Sequence, residues 1–182
     1  MGQVGRRTVQ ECGQADQLDL DADGWVQSLP PCNPGNPAQF CIARTVFNSS
    51  GARYPGGRYL VFYEGQGNIA YGIGAQKVIA DSVPGRDVVQ VNGDSIWVLD
   101  VTATGPAPNH IRNIRVLPPG FDPAIAPVPR FHPDFLAELA PYRSIRFMDW
   151  METNGGGFAG GANPQENFGD RPRISDAFWN GR

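Results

Sequence analysis

The sequence predicts a mainly β protein: a β-sandwich of jelly-roll type, followed by a short helix and one more strand. Three observations lead there. Runs of alternating apolar and polar residues recur at roughly ten-residue spacing between residues 18 and 118. Glycine (23) and proline (17) are frequent while the hydrophobic share is an ordinary 41%, a mixture that favours short strands and turns over long helices. Near the end, Arg143-Ser144-Ile145-Arg146-Phe147-Met148-Asp149-Trp150 begins as an apolar strand, with Ile145, Phe147 and Met148 expected to be buried. It then turns abruptly polar and aromatic, as strands do at the ligand-binding mouth of a parallel barrel.

The elements follow in order. Residues 1–17 show no periodicity and are expected to be a disordered or remnant N-terminus. Leu18 to Leu29, LDLDADGWVQSL, predicts a strand, an Asp-Gly turn and a return strand. The same turn holds Asp19, Asp21, Asp23 and Gly24 in a D-x-D-x-D-G pattern. It fails as an EF-hand because Pro30 occupies the twelfth position, where a bidentate glutamate belongs. An acidic hairpin turn is the default, a structural calcium site is the other reading, and no further cofactor is expected. PPCNPGNP at 30–37 reads as a rigid loop, and Phe40 to Phe47 as a strand.

Arg58 to Glu64, RYLVFYE, is the clearest strand. Leu60 and Phe62 face one way and Tyr59, Val61 and Tyr63 the other, so both faces are bulky and the strand should be central. Ile69–Gly74, Lys77–Ala80 and Asp87–Val91 supply shorter strands. Ser95 to Thr104 places Trp97, Leu99, Val101 and Ala103 on one face. His110 to Leu117 closes the unit, with Ile111, Ile114 and Val116 as candidates for burial. A sandwich over 18–118 is therefore followed by a proline-rich linker over 119–131 and a second unit over 132–182. His132-Pro133 opens a short helix with Phe135, Leu136 and Leu139 on one side, and Pro141 stops it. The glycine-rich stretch 155–170 lacks a following Lys-Ser/Thr and is not a phosphate loop.

Composition excludes some functions. A net charge of −3 with no basic block argues against nucleic acid. No apolar run reaches the ~18 residues of a membrane span. Arg6 and Arg7 are not followed by an apolar segment, so this chain shows no signal peptide. Cys32 and Cys41 bracket a tight loop and form either a local disulfide or two unpaired thiols, with Cys12 as the odd third. A sugar site on the sandwich would draw on Tyr54, Tyr59, Tyr63, Tyr71 and Trp97. Trp97 is better placed in the core, whereas Tyr54 and Tyr71 lie beside glycine turns, with Gln66 and Asn68 as polar companions.

RFMDWMETN, preceded by FHPDFLAELAPYRSI, resembles the first barrel strand of a group of secreted bacterial proteins labelled cellulose- or carbohydrate-binding. LDLDADGWVQSLP, RYLVFYEGQGNIAYG and HIRNIRVLPPGF extend the resemblance over most of the chain. The group is similar to glycoside hydrolases of the clan with a (β/α)8 barrel and two catalytic glutamates, and a β-sandwich precedes the barrel. Phe168 departs from the group, which usually has tryptophan before the motif seen here as Asp170-Arg171-Pro172. The resemblance implies a carbohydrate-binding-like sandwich over 18–118, the first βα portion of an incomplete barrel over 132–182, a polysaccharide or oligosaccharide ligand, and a secreted or periplasmic location. A whole barrel needs roughly 250 residues, so both units cannot be complete in 182.

The catalytic glutamates of the clan belong to later strands, so no catalytic residue is carried over and the chain alone is expected to be non-catalytic. Arg146, Asp149, Trp150 and Asn154 are the candidate substrate contacts at the barrel mouth; Arg146 and Asp149 are expected to form an ion pair or orient other groups there, and Trp150 either stacks on a sugar ring or belongs to the core. The alternative is a non-catalytic extracellular interaction module whose C-terminal tail docks on a partner subunit.

Overall fold

The computed structural model describes residues 8–10, 18–33, 36–47, 55–93, 95–129 and 131–145. In chain order the strands are β1 (Thr8–Gln10), β2 (Asp19–Leu20), β3 (Val26–Ser28), β4 (Pro31–Asn33), β5 (Asn36–Phe40) and β6 (Ile42–Phe47). They continue with β7 (Gly57–Glu64), β8 (Gly67–Ile73), β9 (Ala75–Lys77), β10 (Arg86–Val91), β11 (Trp97–Thr104) and β12 (Arg112–Leu117). One helix follows, α1 (Pro133–Leu139). The protein is thus mainly β. Two four-stranded sheets run β1-β6-β11-β8 and β12-β7-β10-β9, with antiparallel neighbours throughout. β2-β3 and β4-β5 are separate hairpins. Among the described residues no helix is long and apolar enough to cross a membrane.

The two sheets share one core because their strands alternate. Ala43 and Phe47 of β6, Ile69 of β8 and Trp97, Leu99 and Val101 of β11 meet Tyr59 and Val61 of β7 and Val89 and Val91 of β10. Register sets the pairs: Trp97 lies across from Phe47 and Val101 from Ala43. The Trp97 ring stacks on Phe47 at 3.9 Å and meets Tyr59 of the other sheet at 5.6 Å, so one indole ties the layers together. Aromatic pairs of this kind add about 0.5–1.5 kcal/mol beyond the area they bury. The core expected for Trp97 is therefore present.

β7 is interior to its sheet, as its two bulky faces require. On the outer face Leu60 lies across from Val88 and from Leu117. Phe121, Ile125 and Val128 pack over this cluster. The proline-rich stretch lies against the sheet as its cover. Prolines suit that role because they bring apolar surface and no N–H that needs a partner. Arg86 fixes the stretch by donating to the Pro123 carbonyl at 2.8 Å.

The outer face of the first sheet is managed differently. Arg44 and Asp100 are cross-strand partners and form a two-pronged ion pair with both contacts at 2.7 Å. The fork matches guanidinium to carboxylate and satisfies both groups where they are mostly buried.

Some expectations shift. The strand expected at Phe40–Phe47 is interrupted at Cys41, and the stretch expected as a rigid loop supplies β4 and the start of β5. The segment expected as strand at Lys77–Ala80 ends at Lys77 and becomes a short 3-10 turn over Ile79–Asp81. The Ser82 hydroxyl there donates to the Val78 carbonyl and accepts from the Val88 N–H, closing the turn. α1 starts as expected, with Pro133 in the first turn and the His132 ring accepting from the Asp134 N–H. It buries none of its residues, and Ile145, expected inside a strand, is exposed. Residues 146–182, with the RFMDWM strand and the barrel reading, lie outside the described residues.

Candidate functional site

The site begins with an acid in an apolar strand. β10 reads RDVVQV, and its alternation puts Asp87 on the same face as Val89 and Val91, toward the core. Asp87 is only 1% exposed. A carboxylate so placed is costly unless charged and polar partners surround it. They come from three strands. Lys77 at the end of β9 reaches it at 2.7 Å. Tyr71 of β8, from the opposite sheet, donates to it at 2.9 Å. Tyr63 of β7 approaches at 3.4 Å, a weaker contact. Asp87 is therefore a tie between the two sheets as well as a counter-ion for Lys77.

This setting changes the phenols. Burial, then the Asp87 charge and its hydrogen bond, push the Tyr71 hydroxyl far above the ordinary tyrosine value. Tyr63 is raised by burial and by Asp87, against an opposing pull from Lys77. In both cases the shift favours the neutral phenol, which donates to Asp87.

Above this cluster opens a cleft of about 550 Å³, lined by Tyr63, Gln66, Lys77, Ile79, Val83 and Asp87 among others. Its wall depends on the turn joining β7 to β8. Gly65 has φ of 87°, and a Cβ there would stand 1.9 Å from the His110 carbonyl oxygen, so only glycine lets the backbone pass. Ile79, 81% exposed, and Val83 give the cleft apolar rim positions. Lys77 is about one-third exposed and retains two N–H groups beyond the one aimed at Asp87. The arrangement can hold a hydroxylated ligand by donor and acceptor groups over a neutralised ion pair.

A second polar cluster lies at the β2–β3 turn. The Asp21 carboxylate accepts from the backbone N–H groups of Asp23 and Trp25 at 2.9 and 2.8 Å. His110 Nε2 lies 2.7 Å from its other oxygen. Burial pushes the Asp21 carboxyl up, but the hydrogen bonds from Trp25, His110 and Asp23 outweigh it and leave its pKa below the ordinary value. Asp19 instead accepts from the Ser28 hydroxyl at 2.8 Å. Among the described residues no three His, Cys, Asp or Glu side chains gather as a metal site would need, so Asp19, Asp21 and Asp23 are not brought together.

Of the sugar-site candidates, Tyr63 and Gln66 line the cleft, and Tyr71 reaches it only through its hydrogen bond to Asp87. Asn68 bonds Thr102 at 2.7 Å instead. Tyr54, Arg146, Asp149, Trp150 and Asn154 lie outside the described residues. Cys41 is in a disulfide. The side chain of its expected partner, Cys32, is outside the described residues. Asp87 and Lys77 escaped sequence reasoning. The available signal was an acid in phase with Val89 and Val91, which marks a charge on a buried face. Compared with known proteins, the chain matches no family model, no curated protein and no solved structure.

Proposed function

We propose that residues 18–118 form a jelly-roll-like sandwich that binds polysaccharide, the N-terminal part of a secreted glycoside-hydrolase-like protein. In this reading 132–182 is the opening portion of its barrel, and the chain itself cleaves no glycosidic bond. The observation that carries the binding role is the open cleft with Tyr63, Gln66 and Lys77 around a buried carboxylate. Sugar sites need such a mix of donors and acceptors on a rigid floor, and this floor is fixed by both sheets. The Cys41 disulfide fits an oxidising compartment and so a secreted protein. The test is a glycan array probed with the full chain. Retention on polysaccharide without release of reducing ends is expected, and no retention on any glycan would refute the reading.

A second reading is favoured by α1. Leu136, Tyr142 and Ile145 are exposed and the helix buries none of its residues. Such a surface suits an interaction module whose C-terminal tail docks on a partner subunit. Hydrogen exchange on the isolated full chain separates the two. Fast exchange over residues 131–145 agrees with a face awaiting a partner, and strong protection without one counts against it.

A further inference from the structure

We propose that the cleft beside Asp87 takes a neutral glycan rather than a uronate-rich one, with Lys77 and Gln66 as the side chains that read its hydroxyls. This deepens the polysaccharide-binding reading and rests on it.

The argument starts from charge. Of the residues lining the cleft, Lys77 and Asp87 are the charged ones, and they stand 2.7 Å apart. Their charges cancel. The Asp87 oxygens already receive Lys77, Tyr63 and Tyr71, so the carboxylate serves as an internal counter-ion and has little capacity left for a ligand. A ligand carboxylate placed on Lys77 would put a second negative charge close to a buried one. Repulsion there is stronger than at an open surface, because little water screens it. A cationic ligand would meet Lys77 before it could reach Asp87.

A neutral hydroxyl has neither problem. It can accept from the remaining N–H groups of Lys77, whose head is already held by Asp87 and loses little freedom on binding. The exposed Gln66 amide can both donate to and accept from a neighbouring hydroxyl. Ser82 is not available, since its hydroxyl is engaged by Val78 and Val88. The exposed Ile79 and Val83 side chains offer apolar surface to the C–H face of a sugar ring. A volume of about 550 Å³ admits a short stretch of chain.

The full chain is titrated calorimetrically with cellohexaose, xylohexaose, mannohexaose and an oligogalacturonate of matched length. At least one neutral hexasaccharide should bind on the order of tenfold tighter than the oligogalacturonate. Gln66→Ala should weaken that binding severalfold with an unchanged melting temperature, since its side chain is exposed. Lys77→Met should weaken it by on the order of tenfold or more. Because that variant strips Asp87 of its partner, Lys77→Arg is measured beside it; it should fold and bind more weakly, through a different donor geometry. Tighter binding of the oligogalacturonate overturns the proposal. So does neutral binding that Gln66→Ala and Lys77→Arg both leave unchanged, an outcome that keeps the sugar-binding reading and moves the site. Failure of all four oligosaccharides to bind overturns the inference together with the reading beneath it.

Discussion

Asp21 and Asp87 are two sheltered carboxylates that the fold satisfies in opposite ways. Asp21 draws two of its donors from backbone within four residues and only His110 from afar. Asp87 has no local partner: Lys77, Tyr71 and Tyr63 lie 10, 16 and 24 residues away in sequence. The first arrangement forms as soon as the hairpin turn does. In the second, Lys77 and Tyr63 come with the pairing of β9 and β7 to β10, and Tyr71 joins only when the two sheets pack. A carboxylate satisfied by its own turn stabilises local structure, whereas one satisfied across a core makes the sheets depend on each other and leaves a shaped polar floor beneath a cleft.

Substitutions can break this contrast, in decreasing order of effect. Asp87→Ala should cost most, about 3–4 kcal/mol, because it strands an ammonium and two phenols at the end of the core. The partial exposure of Lys77 places the effect toward the lower end of the range for buried pairs. Urea denaturation would measure it, and a loss under about 1 kcal/mol would deny that the tie between sheets matters. Asp21→Ala should cost about 2 kcal/mol, the scale of a lost turn cap with charge-assisted bonds. Tyr71→Phe removes one hydrogen bond to Asp87 and should cost about 1 kcal/mol. Tyr63→Phe, at the longer distance, should cost about 0.5 kcal/mol or less. A double-mutant cycle between Asp87 and Tyr71 should show coupling, while one between Asp87 and Asp21 should be additive.

The two clusters also respond to opposite ends of the pH scale. Asp21 is held below its ordinary value of 3.8, so its contribution is present above that value and fades as pH falls through the folded-state pKa. Asp21→Asn should flatten the acid limb of the stability curve. Tyr71 is raised above its ordinary value of 10.0, so its contribution is full below pH 10 and is lost as pH rises further. Absorbance near 295 nm should therefore show a tyrosine that ionises only on unfolding, and Tyr71→Phe should remove it.

The β-rich character of the described residues was legible along the chain. Trp97, Leu99 and Val101 announced one buried face, and the two bulky faces of RYLVFYE announced a strand covered on both sides. What covers the outer face was not legible. Phe121, Ile125 and Val128 read as linker residues because prolines surround them, and their fit to Leu60, Val88 and Leu117 needs the sheet to exist first. The site was legible in pieces. Tyr71 and Gln66 stood beside glycine turns, but Tyr71 reaches the cleft only through Asp87, and Lys77 carried no sequence mark at all.

What the residues settled unaided is whatever depends on near neighbours: strand alternation, the Asp21 turn, the glycine turn at Gly65 and the proline-led start of α1. Each is fixed by backbone geometry or side-chain pattern over a few positions. Long-range strand pairing and sheet packing together chose the partners of Asp87 and hence the floor and charge balance of the cleft. Those groups arrive from three strands in two sheets, and no short-range rule relates residues whose nearness is created by burying the apolar faces between them.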